Sequence, residues 1–288
     1  MLGAVEAGGT KFVCAIGDEA GKIIERIQIP TTVPEETMPK VIEFFKGHPL
    51  EAIGVGSFGP LNLDKESPRY GYITSTPKLG WRNYPIVRTL ENELGIPIGF
   101  NTDVNAAALS EAIYGAAKGL DSCLYITIGT GIGAGAVVQG KLLQGLSHPE
   151  MGHILVRRHP VDAYRGNCPY HGDCLEGLAS GPAIEARWGA EGVDLEDRPE
   201  VWELQGYYIA QALMQYVLIL SPKKIILGGG IMHQKQLFPS IYKHLKEFIA
   251  DYVILPELSD YIVSPGLGDD AGITGSLMLA QHALQETL

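Results

Sequence analysis

The chain has 288 residues, 45% of them hydrophobic, and a formal net charge of −11 from 22 Lys and Arg against 33 Asp and Glu. That length allows one large domain or two ordinary ones, and the acidic balance, with no Lys/Arg cluster, argues against a nucleic-acid partner. No run of about 18 apolar residues occurs and no signal-peptide order opens the chain, so no membrane association and a cytoplasmic location are expected.

In chain order, segments 2–7, 11–17 and 23–29 read as strands joined by Gly8-Gly9-Thr10 and by a turn at Glu19-Ala20-Gly21-Lys22. Residues 50–57 read as a strand ending at Phe58-Gly59-Pro60, 84–94 as a helix, 96–101 as a strand and 105–117 as an alanine-rich helix. The opening layout then repeats: strands at 122–128, 132–139 and 142–143, with Gly129-Thr130-Gly131 and Gly140-Lys141 as the turns. Helices follow near 182–188 and 199–220, then a strand at 223–227 before Gly228-Gly229-Gly230, and helices at 236–249 and 272–284. Alternation of strands and helices after each meander predicts an α/β class. The repeat predicts two similar domains with a cleft between them.

Glycine lets a backbone approach phosphate oxygens closely enough for several N–H groups to converge on them. Gly8-Gly9-Thr10-Lys11 offers such a turn with a hydroxyl and an ammonium added, and Gly129-Thr130-Gly131-Ile132-Gly133 offers a second. Either turn alone reads equally as an ordinary hairpin; two equivalent turns favour a shared nucleotide. The P-loop spacing is absent. A dinucleotide fingerprint at 129–134 is rejected, because it requires a helix directly afterwards and 134–139 reads as a strand. Gly228-Gly229-Gly230-Ile231-Met232 suits a flat ligand such as adenosine lying on backbone, or a flexible loop.

Asn101-Thr102-Asp103-Val104-Asn105 stands where a strand gives way to a helix, the edge of an α/β sheet at which ligands bind. Asp103 there reads either as a base taking a proton from a sugar hydroxyl or, with Thr102, as a helix cap. Cys168, His171 and Cys174 recur every three residues, and His153 lies upstream. Two thiolates and two imidazoles make a closed, structural zinc site. Glu150 and Glu176 flank it and read as acceptors for sugar hydroxyls if the metal loop holds them, and otherwise as surface glutamates. Cys14 and Cys123 lie in apolar runs as core residues, and His148, His159 and His233 are expected to face solvent.

Together these residues resemble the ROK family, and within it the fructokinase branch, over nearly the whole chain. The resemblance rests on Glu6-Ala7-Gly8-Gly9-Thr10-Lys11, Tyr72-Ile73-Thr74-Ser75-Thr76-Pro77, 101–105, 128–133, His148-Pro149-Glu150-Met151-Gly152-His153, 168–176 and 228–230. It implies an actin-like (ribonuclease H-like) two-lobed fold with duplicated βββαβα units and an interlobe cleft. Residues 1–117 would form the N-terminal lobe, with a C-terminal helix at about 273–288 packing back on it. Residues 118–272 would form the second lobe, with a zinc-binding loop at 153–176.

The resemblance further implies ATP with magnesium, transfer of the γ-phosphate to a hexose, and a homodimer. Fructose is the expected hexose and fructose 6-phosphate the expected product, with mannose or glucose as the alternative. Asp103 would be the general base. Gly8, Gly9, Thr10, Lys11, Gly129, Thr130, Gly131 and Gly133 would surround the phosphates, and Pro182, Gly228, Gly229, Gly230 and Met232 would border base and ribose. Sugar contacts would come from Gly59, Asn101, Asp103, Glu150, His153 and Glu176, and zinc ligands from His153, Cys168, His171 and Cys174. Two departures stand out. Many family members carry Asp where this chain has Glu6, which would approach magnesium. The common zinc loop uses three cysteines where this chain places His171, a variant like the fructokinase branch. A transcriptional repressor is disfavoured, because the first hairpin begins at Leu2 and leaves no room for a preceding helix-turn-helix. A non-catalytic sensor would be expected to lack Asp103.

Overall fold

The repeat read in the sequence folds as two five-stranded mixed sheets with one strand order. A computed structural model describes residues 1–287. The first half runs β1 (Leu2–Ala7), β2 (Lys11–Gly17), β3 (Ile23–Pro30), α1 (Pro34–Lys46), β4 (Ala52–Ser57), α2 (Ile86–Leu94), β5 (Ile98–Thr102) and α3 (Asp103–Ile113). The second runs β6 (Cys123–Ile128), β7 (Ile132–Val138), β8 (Lys141–Leu142), α4 (Leu175–Ala179), α5 (Gly181–Trp188), α6 (Pro199–Leu220), β9 (Ile225–Gly228), α7 (Leu237–Ile249), α8 (Leu258–Tyr261), β10 (Ile262–Val263) and α9 (Ala271–Thr287). The sheets are ordered β3-β2-β1-β4-β5 and β8-β7-β6-β9-β10, so each sheet has its first strand at the centre, the meander on one side and parallel strands on the other. Contacts group Met1–Gly119, Gly135–Pro149 and the chain from Gly266 onward into one unit, and Leu120–Ala134 with Glu150–Pro265 into another.

In the first unit the two faces of β1 and β2 are sorted by the period-2 rule. Val5, Ala7, Phe12, Cys14 and Ile16 join Met38, Val41 and Phe45 of α1 and Ile86, Val87 and Leu90 of α2. Leu2, Ala4, Val13 and Ala15 join Ile273, Leu277 and Ala280 of α9. Each large side chain buried this way contributes on the order of 1.5–3 kcal/mol. The last helix comes close enough that a Cβ at Gly54 would lie 1.8 Å from the Ser276 carbonyl oxygen.

Three helices were not anticipated: the short α4 and α8, and the 13-residue α1. α1 carries Pro39 in its interior, which masks the periodic pattern of buried Thr37, Met38, Val41 and Phe45. Pro34 at its first position and Glu35 and Glu36 in its first turn are ordinary start signals. α3 ends at Ile113 and not near 117, because the buried Glu111 carboxylate turns the chain: it accepts N–H groups from Ala116 (2.6 Å), Gly266 (2.9 Å) and Leu267 (2.8 Å).

The second unit holds a buried ion pair. Arg187 Nη2 lies 3.1 Å from Asp162 Oδ2, with both side chains less than 10% exposed (7% and 3%). Arg187 Nε donates to Asp162 Oδ1 at 3.3 Å and Nη2 to the Leu178 carbonyl at 2.8 Å. The Tyr208 hydroxyl and the Tyr164 N–H donate to the same carboxylate at 2.6 and 3.0 Å, and the guanidinium lies over the Tyr164 ring at 4.7 Å. This pair ties α5 to segment 159–164 and to α6.

Candidate active site

Strand register in the first unit aligns three chain reversals. Ala7 pairs with Ser57, and Ser57 with Thr102. Neighbouring strands lie about 4.8 Å apart, so the residues that follow, Gly8, Phe58 and Asp103, start from one sheet edge. This is the carboxyl edge at which α/β sheets bind ligands.

Thr102 caps α3, its side chain accepting the Asn105 N–H at 3.1 Å. The cap is therefore Thr102's, and the Asp103 carboxylate accepts the Val104 N–H at 2.8 Å. Burial pushes the Asp103 pKa up to about 6. Asn101 is buried, and its Oδ1 accepts from the Thr102 N–H (2.9 Å) and from Asn105 Nδ2 (2.8 Å). Gly59 is half-buried at the cis Gly59-Pro60 bond. Glu6, the penultimate residue of β1, is pushed up to about 7, first by burial, then by the Asp103 charge and more weakly by Asp270 and Asp269, while Lys11 opposes the shift. Asp269 and Asp270 were not singled out from the sequence. They lie in a glycine-rich stretch with no periodic pattern, and the fold alone draws them toward Glu6.

The 8–11 turn is closed by its own backbone: the Gly8 N–H donates to the Lys11 carbonyl at 3.0 Å and the Gly8 carbonyl accepts the Thr31 hydroxyl at 2.8 Å. Gly8 thus shapes the turn, a Cβ there lying 2.7 Å from the Lys11 oxygen, and does not offer a free donor. Thr10 and Lys11 are exposed.

His148 corrects an expectation. It is buried, not solvent-facing: its Nε2 accepts the Leu61 N–H at 2.8 Å, and burial holds its pKa below the usual histidine value. The ring is therefore a neutral acceptor that pins the backbone just after Gly59-Pro60. His159 is half-buried, edge-on to the Tyr207 ring at 4.7 Å, and His233 is exposed as expected.

In the second unit the equivalent edge gathers the other glycine segments. Thr127 pairs with Gly228. The Gly129 N–H donates to the Gly131 carbonyl at 2.9 Å, and the Gly129 carbonyl accepts the Gly181 N–H at 2.7 Å, beside Pro182 in the first turn of α5. Gly229 has φ +88°, and a Cβ there would meet the Ile128 oxygen at 2.4 Å, so only glycine fits. The Met232 N–H returns to the Gly229 carbonyl at 3.0 Å. Turn 129–133, Pro182 and Gly228–Gly230 with Met232 are thus brought together, and 132–138 is a strand.

Glu176 links this edge to the Cys/His loop. Its Oε2 accepts the Ile132 N–H at 2.9 Å, leaving no room for a Cβ at Gly131 (2.8 Å), and its Oε1 lies 4.0 Å from His153 Nε2. Glu150 is exposed, with its carbonyl accepting the His153 N–H at 3.1 Å. One ligand atom from each of His153, Cys168, His171 and Cys174 lies within 4.8 Å of the others. His153 Nδ1 is 3.5 Å from Cys174 Sγ and 3.7 Å from Cys168 Sγ, and His171 Nδ1 is 3.7 Å from Cys168 Sγ. A zinc tetrahedron with Zn–S near 2.3 Å and Zn–N near 2.05 Å has N···S edges of about 3.6 Å. The donor set fits zinc in both chemistry and spacing, and with Nδ1 turned inward His153 Nε2 faces the Glu176 carboxylate, the usual outer partner of a ligating imidazole.

The ROK family model matches residues 2–283. A protein of Bacillus subtilis (strain 168) is 66% identical over 289 residues, covering 99% of this chain and 97% of its own length. The fructokinase of Pediococcus pentosaceus is 48% identical over 285 residues, covering 99% of both. Among solved structures, a ROK family glucokinase from Streptomyces griseus, in complex with glucose and AMPPNP, superposes with a TM-score of 0.77 at 26% identity, covering 96% of this chain and 98% of that one. The two like-ordered sheets are those of the actin-like α/β fold of such kinases. With a family model spanning almost the whole chain, this protein belongs to the ROK family.

Proposed function

We propose that the chain is an ATP-dependent kinase that transfers the γ-phosphate of ATP to fructose, giving fructose 6-phosphate. The observation that carries this reading is the aligned strand edge, which sets a glycine turn, a sugar-side loop and a half-buried carboxylate in one row, in a chain so similar over its full length to a fructokinase. In the reaction the 6-hydroxyl oxygen of fructose forms a bond to the γ-phosphorus as the bond from that phosphorus to the β–γ bridging oxygen breaks. The hydroxyl proton passes to the Asp103 carboxylate and ADP leaves. Gly59, Asn101, Glu150, His153 and Glu176 hold the sugar; Gly8–Lys11 and 129–133 surround the phosphates; Pro182, Gly228–Gly230 and Met232 border the base and ribose. Residues 1–117 with the last helix act as one lobe and 118–272 as the other.

Magnesium, when bound with ATP, neutralises phosphate charge. Glu6 would be the carboxylate offered to it, since the charges of Asp103, Asp270 and Asp269 act on its carboxyl and a hard cation would relieve that surplus of negative oxygen. His153, Cys168, His171 and Cys174 hold a structural zinc ion that keeps Glu176 in place. Elemental analysis of purified protein should find about one zinc per chain, and Cys174→Ser should lose both the metal and, through the freed loop, thermal stability. A folded, active preparation without zinc would dismiss the site. The active form is a homodimer, visible as twice the chain mass in light scattering.

The reaction itself is tested by ADP release from Mg-ATP with fructose, mannose, glucose, N-acetylmannosamine and no sugar. Fastest release with fructose is expected. A different best hexose would change the substrate and keep the mechanism, whereas equal release without sugar would replace the kinase with a hydrolase.

A further inference from the structure

The 74–82 segment carries a cation that the machinery above does not use. Lys78 is half-buried, with the end of its side chain over Gly9: a Cβ at Gly9 would lie 3.3 Å from Lys78 Cε and 4.0 Å from Nζ. The end of the side chain, and with it the ammonium, therefore lies over the 8–11 turn. The segment that carries it is rigid. The Lys78 N–H donates to the hydroxyl of buried Thr76 at 3.3 Å, and its carbonyl accepts the Trp81 N–H at 2.9 Å. Arg82 Nε donates to the Thr76 carbonyl at 2.7 Å, and the Thr74 hydroxyl donates to the Pro60 carbonyl at 2.9 Å. Trp81, 1% exposed, donates its indole N–H to the Thr32 carbonyl at 2.7 Å and packs against Phe12, Phe58 and Tyr84.

Among the described residues Lys78 makes no ion pair, and its ammonium donates no hydrogen bond. A lysine stem loses rotamer freedom on being laid down, and an ordinary surface lysine avoids that loss by staying extended in water. Here the end of the side chain is held over Gly9, while no anion among the described residues meets its head. The missing partner is one that arrives at the turn, and a compact, strongly hydrated ammonium suits phosphate oxygens as a point charge.

We propose that Lys78 is a catalytic residue that contacts the transferred phosphoryl group, first as the γ-phosphate of ATP and then on the product sugar. The proposal rests on the kinase reading above. Lys78 keeps its proton throughout; it supplies charge and hydrogen bonds to the equatorial oxygens while the oxygen–phosphorus bonds exchange and Asp103 takes the hydroxyl proton.

Lys78→Met keeps the stem and removes the charge, and Lys78→Arg keeps the charge. Steady-state rates with fructose and Mg-ATP, and calorimetric titrations with fructose and with fructose 6-phosphate, are measured for wild type and both variants. Lys78→Met should lower kcat about 100-fold, as loss of one oriented donor to developing charge does. It should also weaken fructose 6-phosphate binding about tenfold while leaving fructose affinity and the melting temperature unchanged. Lys78→Arg should recover part of both losses. A Lys78→Met enzyme within threefold of wild type in kcat, or one that loses fructose and fructose 6-phosphate affinity equally, would overturn the assignment. Should Lys78→Met melt early, Lys78→Gln carries the same comparison. Failure of the kinase reading shows separately, as wild type that releases no ADP with any hexose, and the two titrations then still report whether Lys78 meets phosphate.

Discussion

Asparagine in place of Asp103 should lower turnover by about 10²–10⁴-fold, the range a positioned general base contributes, while ATP binding stays close to wild type. The amide keeps the shape of the side chain and can still accept the Val104 N–H; what it loses is the capacity to take a proton. The wild-type pH profile should carry the same signature. Asp103 works only as the carboxylate and its pKa is pushed up to about 6, so kcat/KM should be level above that value and fall about tenfold per unit below it. The residual activity of the variant should lack that limb. Removing the Asp103 charge also removes one of the causes that lift Glu6 toward 7, so Glu6 should become more acidic. Rates with fructose and calorimetric ATP titration check both parts, and undiminished turnover would remove Asp103 from the mechanism.

The largest expected loss of stability lies elsewhere in the fold. Arg187→Ala leaves the Asp162 carboxylate buried without its cation, a change that costs about 3–5 kcal/mol, and it strips the Tyr164 ring of its stacked guanidinium. Burial alone would raise the Asp162 pKa, yet the Tyr208 hydroxyl, the Tyr164 N–H and Arg187 outweigh it and hold the group below its ordinary value. A depressed carboxylate contributes stability above its unfolded pKa of about 3.9 and loses it as pH falls through the lower folded value. The gap between wild type and Arg187→Ala in urea unfolding should therefore be full at neutral pH and narrow below about pH 4. A gap under about 1 kcal/mol at pH 7 would show that the pair is no more than an exposed one. Arg187→Lys should recover little, because one ammonium cannot reproduce the fork that reaches Asp162 through Nε and Nη2 and also the Leu178 carbonyl.

Local pattern carried much of the architecture. The hairpins were legible because apolar runs and glycine turns coincide at 2–17 and 122–139, and α6 was read to the residue between Pro199 and Leu220. α1 was hidden by Pro39, whose missing N–H looks like a stop even where packing of Met38, Val41 and Phe45 carries the helix through. Site residues followed the same division. The Cys168–His171–Cys174 spacing points to a metal by itself, and the distances fit. His148, Lys78 and Glu111 gain their surroundings from contacts dozens of residues away, with Leu61, with Gly9 and with Gly266. No local pattern distinguishes them from surface polar residues. Asp103 is intermediate: the sequence left it open between a base and a cap by Thr102 or Asp103, and the Asn105 N–H donated to the Thr102 hydroxyl gives the cap to Thr102.

The two sheets share a topology but divide the helices unequally. β5 leads into α3 and β10 leads toward α9, yet α3 and α9 both pack within the first unit, against each other and, for α9, against β1, β4 and β5. The closing helix of the second repeat has been lent to the first. During synthesis, which proceeds from the N-terminus, the apolar face made by Leu2, Ala4, Val13, Ala15 and Ala52 has no cover until Ile273, Leu277 and Ala280 have left the ribosome. The half of the protein that carries Asp103 is made first and completed last.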